Sequence, residues 1–149
     1  MKPRLWDGVG PALADTSAWM AARKTPAVRA RFVSAVERGE VAWCWPVAYE
    51  LMVDARGPDA LAAVDETLVS LREIPIDRAV QRGVLAAMRE LAAGGSHGAH
   101  RLPLTDLTVA VAAQAAGIDV LHFDRHFERL GKLLGVRTWW VADPATRQG

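Results

Sequence analysis

The amino-acid sequence predicts an α/β fold, a mostly parallel sheet with helices on both faces. Two observations carry that reading. Short apolar runs alternate along the chain with segments whose apolar residues recur at helical spacing. No internal repeat or low-complexity tract breaks the alternation, so the 149 residues read as a single domain, 1–149, with frayed termini.

The elements follow in order. Pro11-Ala12-Leu13-Ala14-Asp15 is a short apolar run ending in an acid, the first strand, with a helix beginning near Ser17. Val28, Phe32, Ala35 and Val36 repeat at helical spacing until Gly39. Val41 to Trp45 reads as a buried second strand, and Pro46 suits the first turn of a helix carrying Val47 and Leu51. After Gly57-Pro58, the stripe Leu61, Val64, Leu68 and Leu71 marks another helix. Ile74-Pro75-Ile76 is extended, because a residue before proline disfavours the α region. Val80, Val84, Met88 and Leu91 mark the next helix, and Ala92 to His100 reads as a small-residue loop. Thr105 to Ala116 is apolar on most sides, as expected of a helix buried between neighbours, and Gly117 ends it. Ile118 to Phe123 forms a fourth strand, Phe127, Leu130 and Leu134 line a helix, and Arg137 to Val141 forms the last strand. The count is five strands and six or seven helices.

Composition excludes several classes. The chain is 51% hydrophobic and 23% charged, unlike a disordered sequence. No apolar run approaches the roughly 20 residues that span a bilayer, so no membrane association is expected. The start, Met1 to Asp7, carries charge without an apolar stretch behind it, so no secretory signal is expected. Cys44 is the one cysteine and cannot form an internal disulfide, which makes the cytoplasm the simplest compartment. Among 18 basic residues only Lys2, Lys24 and Lys132 are lysines. Arginine suits bidentate contact with phosphate or carboxylate, but a GC-rich genome would produce the same bias, so charge by itself singles out no nucleic-acid binder.

Four carboxylates fall where a core has no use for them. Asp15 and Asp124 each follow a strand, Glu50 lies one turn into a helix, and Asp106 begins the apolar helix. In open parallel sheets, ligands bind at the carboxyl ends of the strands. Two unit charges about 4 Å apart repel by roughly 4 kcal/mol at an effective dielectric near 20. Gathered acids must therefore raise one another's pKa values or recruit a cation, and oxygen donors suit Mg²⁺ or Mn²⁺. Water on such a cation is more acidic and can attack a phosphodiester. Set apart from these four acids, the remaining surface keeps a modest basic excess that could hold a phosphate backbone. The plainer alternative has Asp15 as a helix cap, Asp106 as a first-turn acid and Glu50 as a surface residue.

At these residues the sequence resembles the PIN-domain family, specifically the VapC-type toxin ribonucleases of bacterial toxin–antitoxin pairs. The resemblance rests on Leu13-Ala14-Asp15-Thr16-Ser17-Ala18, Val47-Ala48-Tyr49-Glu50-Leu51, Leu102-Pro103-Leu104-Thr105-Asp106-Leu107 and Leu121-His122-Phe123-Asp124-Arg125-His126-Phe127. The pieces keep their order over about residues 11–141, with an 18-residue step from Asp106 to Asp124. The resemblance implies a PIN-like three-layer fold with strand order 3-2-1-4-5, which sets Asp15 and Asp124 side by side. It further implies Mg²⁺- or Mn²⁺-dependent endonucleolytic cleavage of RNA, a small antitoxin partner and a homodimer. Asp15, Glu50, Asp106 and Asp124 match the family's acids, and Thr16 or Ser17 would support Asp15. Two positions depart from it. His122 stands where Thr or Ser is common, and His126 stands where another acid is often found, which favours one tightly held cation over two. His126 reads first as a helix-start surface residue and second as an Mn²⁺ ligand or, protonated, a phosphate contact.

The expected chemistry is in-line hydrolysis leaving 5′-phosphate and 3′-hydroxyl ends. Asp15, Asp106 and Asp124 would hold the cation, and Glu50 would position the water or a second cation. Arg125, Arg129 and Lys132 recur at helical spacing directly after Asp124 and are the better phosphate candidates; Arg78, Arg82 and Arg89 read as a solvated face. Gly8-Val9-Gly10 lacks the third glycine of a dinucleotide loop, and His97 and His100 lack further zinc ligands. Trp43, Trp45, Trp139 and Trp140 suit core or dimer packing, while Trp19 near Asp15 could stack on a base. Three readings stand together: a toxin endoribonuclease, a housekeeping nuclease without antitoxin, and a non-catalytic scaffold.

Overall fold

Four strands form one parallel sheet in the computed structural model: β1 (Ala12–Ala14), β2 (Val41–Ala42), β3 (Asp119–His122) and β4 (Thr138–Trp140), ordered β2-β1-β3-β4. Described are residues 2–8, 10–95 and 97–148. Val9 of the glycine pair motif and Ser96 of the glycine-rich stretch lie outside the described residues, as do Met1 and Gly149. The helices are α1 (Thr16–Lys24), α2 (Pro26–Glu37), α3 (Trp45–Asp54), α4 (Pro58–Val69), α5 (Arg78–Gly94), α6 (Leu104–Ala116) and α7 (His126–Leu134). A 3₁₀ turn, Pro144–Gln148, follows β4.

Among the described residues, four strands replace the expected five. The extended piece around Ile74 makes only a parallel bridge, Glu73 to Trp43, with hydrogen bonds from Trp43 N to Arg72 O (3.1 Å) and from Ile74 N to Trp43 O (2.7 Å). The next rung would need Trp45 in extended form, but Trp45 already opens α3, so the ladder cannot continue. The piece still lies beyond β2, where the third strand was expected. The second strand is also shorter than expected, because Trp45 with Pro46 already opens α3 and leaves the Trp45 ring 56% exposed. Ala92 to Gly94 prolong α5 instead of forming a loop, as two alanines after an apolar stripe favour.

The amino-terminal segment, expected to fray, is paired. Leu5 bridges Trp140, with Trp6 N donating to Trp140 O (2.9 Å) and Trp140 N donating to Arg4 O (2.8 Å).

One apolar cluster of buried residues runs from Trp6 to Ala142. Leu13, Leu121, Phe127 and Leu130 are fully buried in it, each contributing about 1.5–3 kcal/mol. Strands covered on both faces read as unbroken apolar runs, which is why Ala12-Leu13-Ala14 has no polar member. Trp19 belongs to this core: its ring meets Phe32 edge-on at 4.7 Å and is unavailable for base stacking. α6 packs over β1 and β3, with Asp106 through Ala113 buried without interruption. Gly117 ends α6 at φ 68°, a left-handed conformation that glycine adopts without a Cβ clash.

Candidate functional site

β1 ends at Ala14, and the next residue opens α1. Asp15 Oδ2 accepts from Ser17 N (3.0 Å) and from Ser17 Oγ (2.6 Å), an N-cap. Its backbone N–H donates to Leu121 O (2.9 Å), which fixes it beside β3. The Ser17 hydroxyl also accepts from Phe123 N (2.9 Å), so one side chain joins the ends of both central strands. Past β3 the same turn recurs, with Asp124 Oδ1 accepting from His126 N (3.1 Å) as α7 begins.

Asp106 enters from the first turn of α6 and is buried. His126 Nδ1 lies 2.8 Å from Asp106 Oδ2 and 3.4 Å from Asp124 Oδ1. One donor atom each from Asp106, Asp124 and His126 fits within 4.8 Å of the others. Asp15 and Glu50 stand outside that tight set. Glu50 is half-buried in the second turn of α3, and its charge is felt at Asp106.

Burial governs the charges here. It pushes the Asp15 carboxyl up from 3.8 to about 6, against the two Ser17 hydrogen bonds, and the Asp106 charge pushes the same way. Asp106 is also raised, by burial first and then by Asp124 and Glu50, with His126 opposing. His122 is fully enclosed, its ring 5.1 Å from Phe127 and 4.8 Å from Trp140, and burial lowers it to about 4. It is therefore neutral near pH 7, and its Nδ1 accepts from Asp124 N (3.2 Å), holding the turn after β3.

The donor set fits a divalent cation. Asp15 Oδ1 is buried without a hydrogen-bond partner, and so is Thr16 Oγ1 beside it. Buried acceptors left bare are rare, because each loses its hydration with nothing in return. Carboxylate oxygens and one imidazole converging nearby are the donors that hard or borderline divalent ions take.

Arg125, which caps the start of α7, and Arg129 on that helix are exposed, with no ion pair among the described residues. Arg78, Arg82 and Arg89 are exposed on α5. His126 does start α7, yet its side chain turns toward the acids, so the surface reading of this residue is corrected. The signal for it was the spacing: His126 stands to Asp124 as Ser17 stands to Asp15, two residues on and bonded back.

Residues 12–133 match the PIN domain family. The chain is 31% identical to Ribonuclease VapC18 of Mycobacterium tuberculosis over 134 residues, covering 89% of this chain and 96% of that protein. It is also 31% identical to Ribonuclease VapC21 of the same species over 122 residues, covering 81% and 87%. The fold is similar to a chain in the crystal structure of DNA-bound VapBC from Salmonella typhimurium, with TM-score 0.69, 20% identity and coverage of 90% and 100%. With β1, α6 and β3 presenting acids at one end of a parallel sheet, and with nearly the whole length matched, this chain belongs to the PIN domain family.

Proposed function

We propose that the chain is a divalent-metal-dependent endoribonuclease acting as the toxin of a toxin–antitoxin pair. One observation carries this: Asp106, Asp124 and His126 bring donor atoms within 4.8 Å of one another, while nearby Asp15, whose carboxyl feels the Asp106 charge, keeps a buried oxygen without a partner among the described residues. Asp15, Asp106 and Asp124 are the residues that would hold the cation, joined by His126. A bound divalent ion supplies an acidified water and neutralises charge growing on phosphate oxygens. Glu50 orients the attacking water from the α3 side. Ser17 fixes the Asp15 carboxylate, and Thr16 adds a hydroxyl beside it. Arg125 and Arg129 contact phosphates of the bound strand. A nitrogen donor among oxygens favours Mn²⁺ over Mg²⁺, since Mg²⁺ prefers oxygen ligands.

The whole chain acts as a single domain in the cytoplasm. Relatives named as VapC ribonucleases support RNA as the substrate, and neighbours titled as VapBC complexes support a small antitoxin as partner. An apolar groove of about 570 Å³ between α1, α2, α3 and α4, with Arg23 and Arg29 at its rim, offers that partner a surface. Trp45, Tyr49 and Val53, exposed in one row on α3, offer a second copy another.

The test is incubation of purified protein with total RNA and Mn²⁺, followed by mapping of new 5′ ends. Cleavage abolished by chelator and by Asp15→Asn is expected, and intact RNA would overturn the reading. Growth arrest on expression, relieved by a neighbouring open reading frame, separates a toxin from a housekeeping nuclease.

A further inference from the structure

A second cleft lies between the amino-terminal segment, α7 and β4, with a volume of about 580 Å³. Four cations line it, Lys2, Arg4, Lys132 and Arg137, facing one carboxylate, Glu128. That carboxylate is already engaged by Trp140 Nε1 (3.0 Å). Arg4 lies over the Trp139 ring at 5.3 Å and is held there by the backbone pairing of its segment with Trp140. Arg137 reaches Asp119 at 3.2 Å with its side chain 70% exposed. Lys2 and Lys132 have no ion pair among the described residues.

Lys132 joins this cleft to the acidic site. It follows Arg125 and Arg129 on the exposed side of α7 at spacings of four and three residues, which stack along one helix face. Arg125 sits between Asp124 and His126, so this row begins at the acids and ends in the cleft. At 1.5 Å per residue the seven steps cover about 10 Å, the length of about three stacked nucleotides.

Resting on the endoribonuclease reading above, we infer that the cleft is a second RNA subsite, which grips the backbone phosphates of the strand leading away from the cleavage point. Lys2 and Lys132 supply unpaired charge, Arg4 and Arg137 supply planar donors, and the four cations outweigh the single Glu128 carboxylate.

The test measures single-stranded RNA binding by fluorescence anisotropy across a salt series, with chelator present so that no strand is cut. The Lys2→Ala/Lys132→Ala double variant removes two exposed cations without disturbing the core. For single strands each phosphate contact contributes a salt slope of about −0.7, so two lost contacts predict a slope shallower by about 1.4 and roughly 25-fold weaker binding at 0.1 M salt. The matched Arg78→Ala/Arg82→Ala variant on α5 should stay within about twofold of the parent protein. Unchanged affinity and slope in the cleft variant would overturn the subsite. If the parent protein cleaves RNA with Mn²⁺ while the cleft variant binds as the parent does, only the subsite falls; if the parent neither binds nor cleaves, both fall.

Discussion

The β1–α1 and β3–α7 junctions are built alike and carry charge differently. In each, a parallel strand runs into an aspartate whose carboxylate takes the N–H of the residue two further on, Ser17 for Asp15 and His126 for Asp124. Asp15 is only 3% exposed, whereas the Asp124 side chain is 30% exposed. Burial drives Asp15 to about 6 and leaves its second oxygen bare, while Asp124 shares the rim with His126. One turn geometry thus serves two purposes. In the proposed site the enclosed acid would gain most from a cation, and the rim acid would offer it an exposed oxygen.

Exchanging the two acids separates these purposes. Asp15→Asn should lower Mn²⁺-dependent cleavage at least about 10³-fold while raising the stability of the metal-free protein. Asp124→Asn should cost about 10² in rate and leave that stability within about 0.5 kcal/mol. Single-turnover cleavage paired with urea unfolding reads both, and equal stability changes would erase the contrast.

The pH dependence comes next in size. Because the folded-state value of Asp15 is raised, to about 6 from 3.8, the folded protein holds more protons than the unfolded chain across that window. Its contribution is fully present below about pH 4 and is lost as pH rises through about 6, by up to about 3 kcal/mol. The difference between the parent protein and Asp15→Asn in urea midpoints at pH 4.5 and 7.5 isolates this acid. A pH-independent difference would show that the Asp15 carboxyl is not raised in the folded protein.

Smaller still is the loss of the hydroxyl that links the two junctions. Ser17→Ala strips the acceptor from Phe123 N–H and a donor from Asp15, at a cost of about 1–3 kcal/mol in chemical denaturation. The mildest change concerns metal choice. His126→Asp should shift the ratio of Mn²⁺ to Mg²⁺ affinity about tenfold toward Mg²⁺, measured by titration calorimetry. An unaltered ratio would exclude the imidazole as a ligand.

Periodicity located what repeats and missed what depends on one contact. The parallel α/β order followed from alternating runs, because strands buried on both faces must be apolar throughout, as Ala12 to Ala14 are. The strand at Ile74 was misjudged because its apolar residues suit a ladder whose partner turns into α3 at Trp45. Trp45 was placed at the end of the apolar run Val41 to Trp45, although with Pro46 it already forms the first turn of α3. At the site, strand-end acids stood out because a core rejects them. The inward turn of His126 did not, since its direction is set by Asp106, twenty residues earlier. The basic cleft was equally hidden, because Lys2 and Arg137 become neighbours only when the first residues pair with β4.

That pairing, with its counterpart at Glu73, has a consequence for assembly. The segment through Leu5 occupies the outer rim of β4, and the Trp43–Glu73 bridge occupies that of β2. A bare rim would be a template for another polypeptide to zip onto. With a neighbouring segment bridged to each side, the sheet leaves less open backbone for such zipping, and the strands that aim the acids are shielded at both flanks.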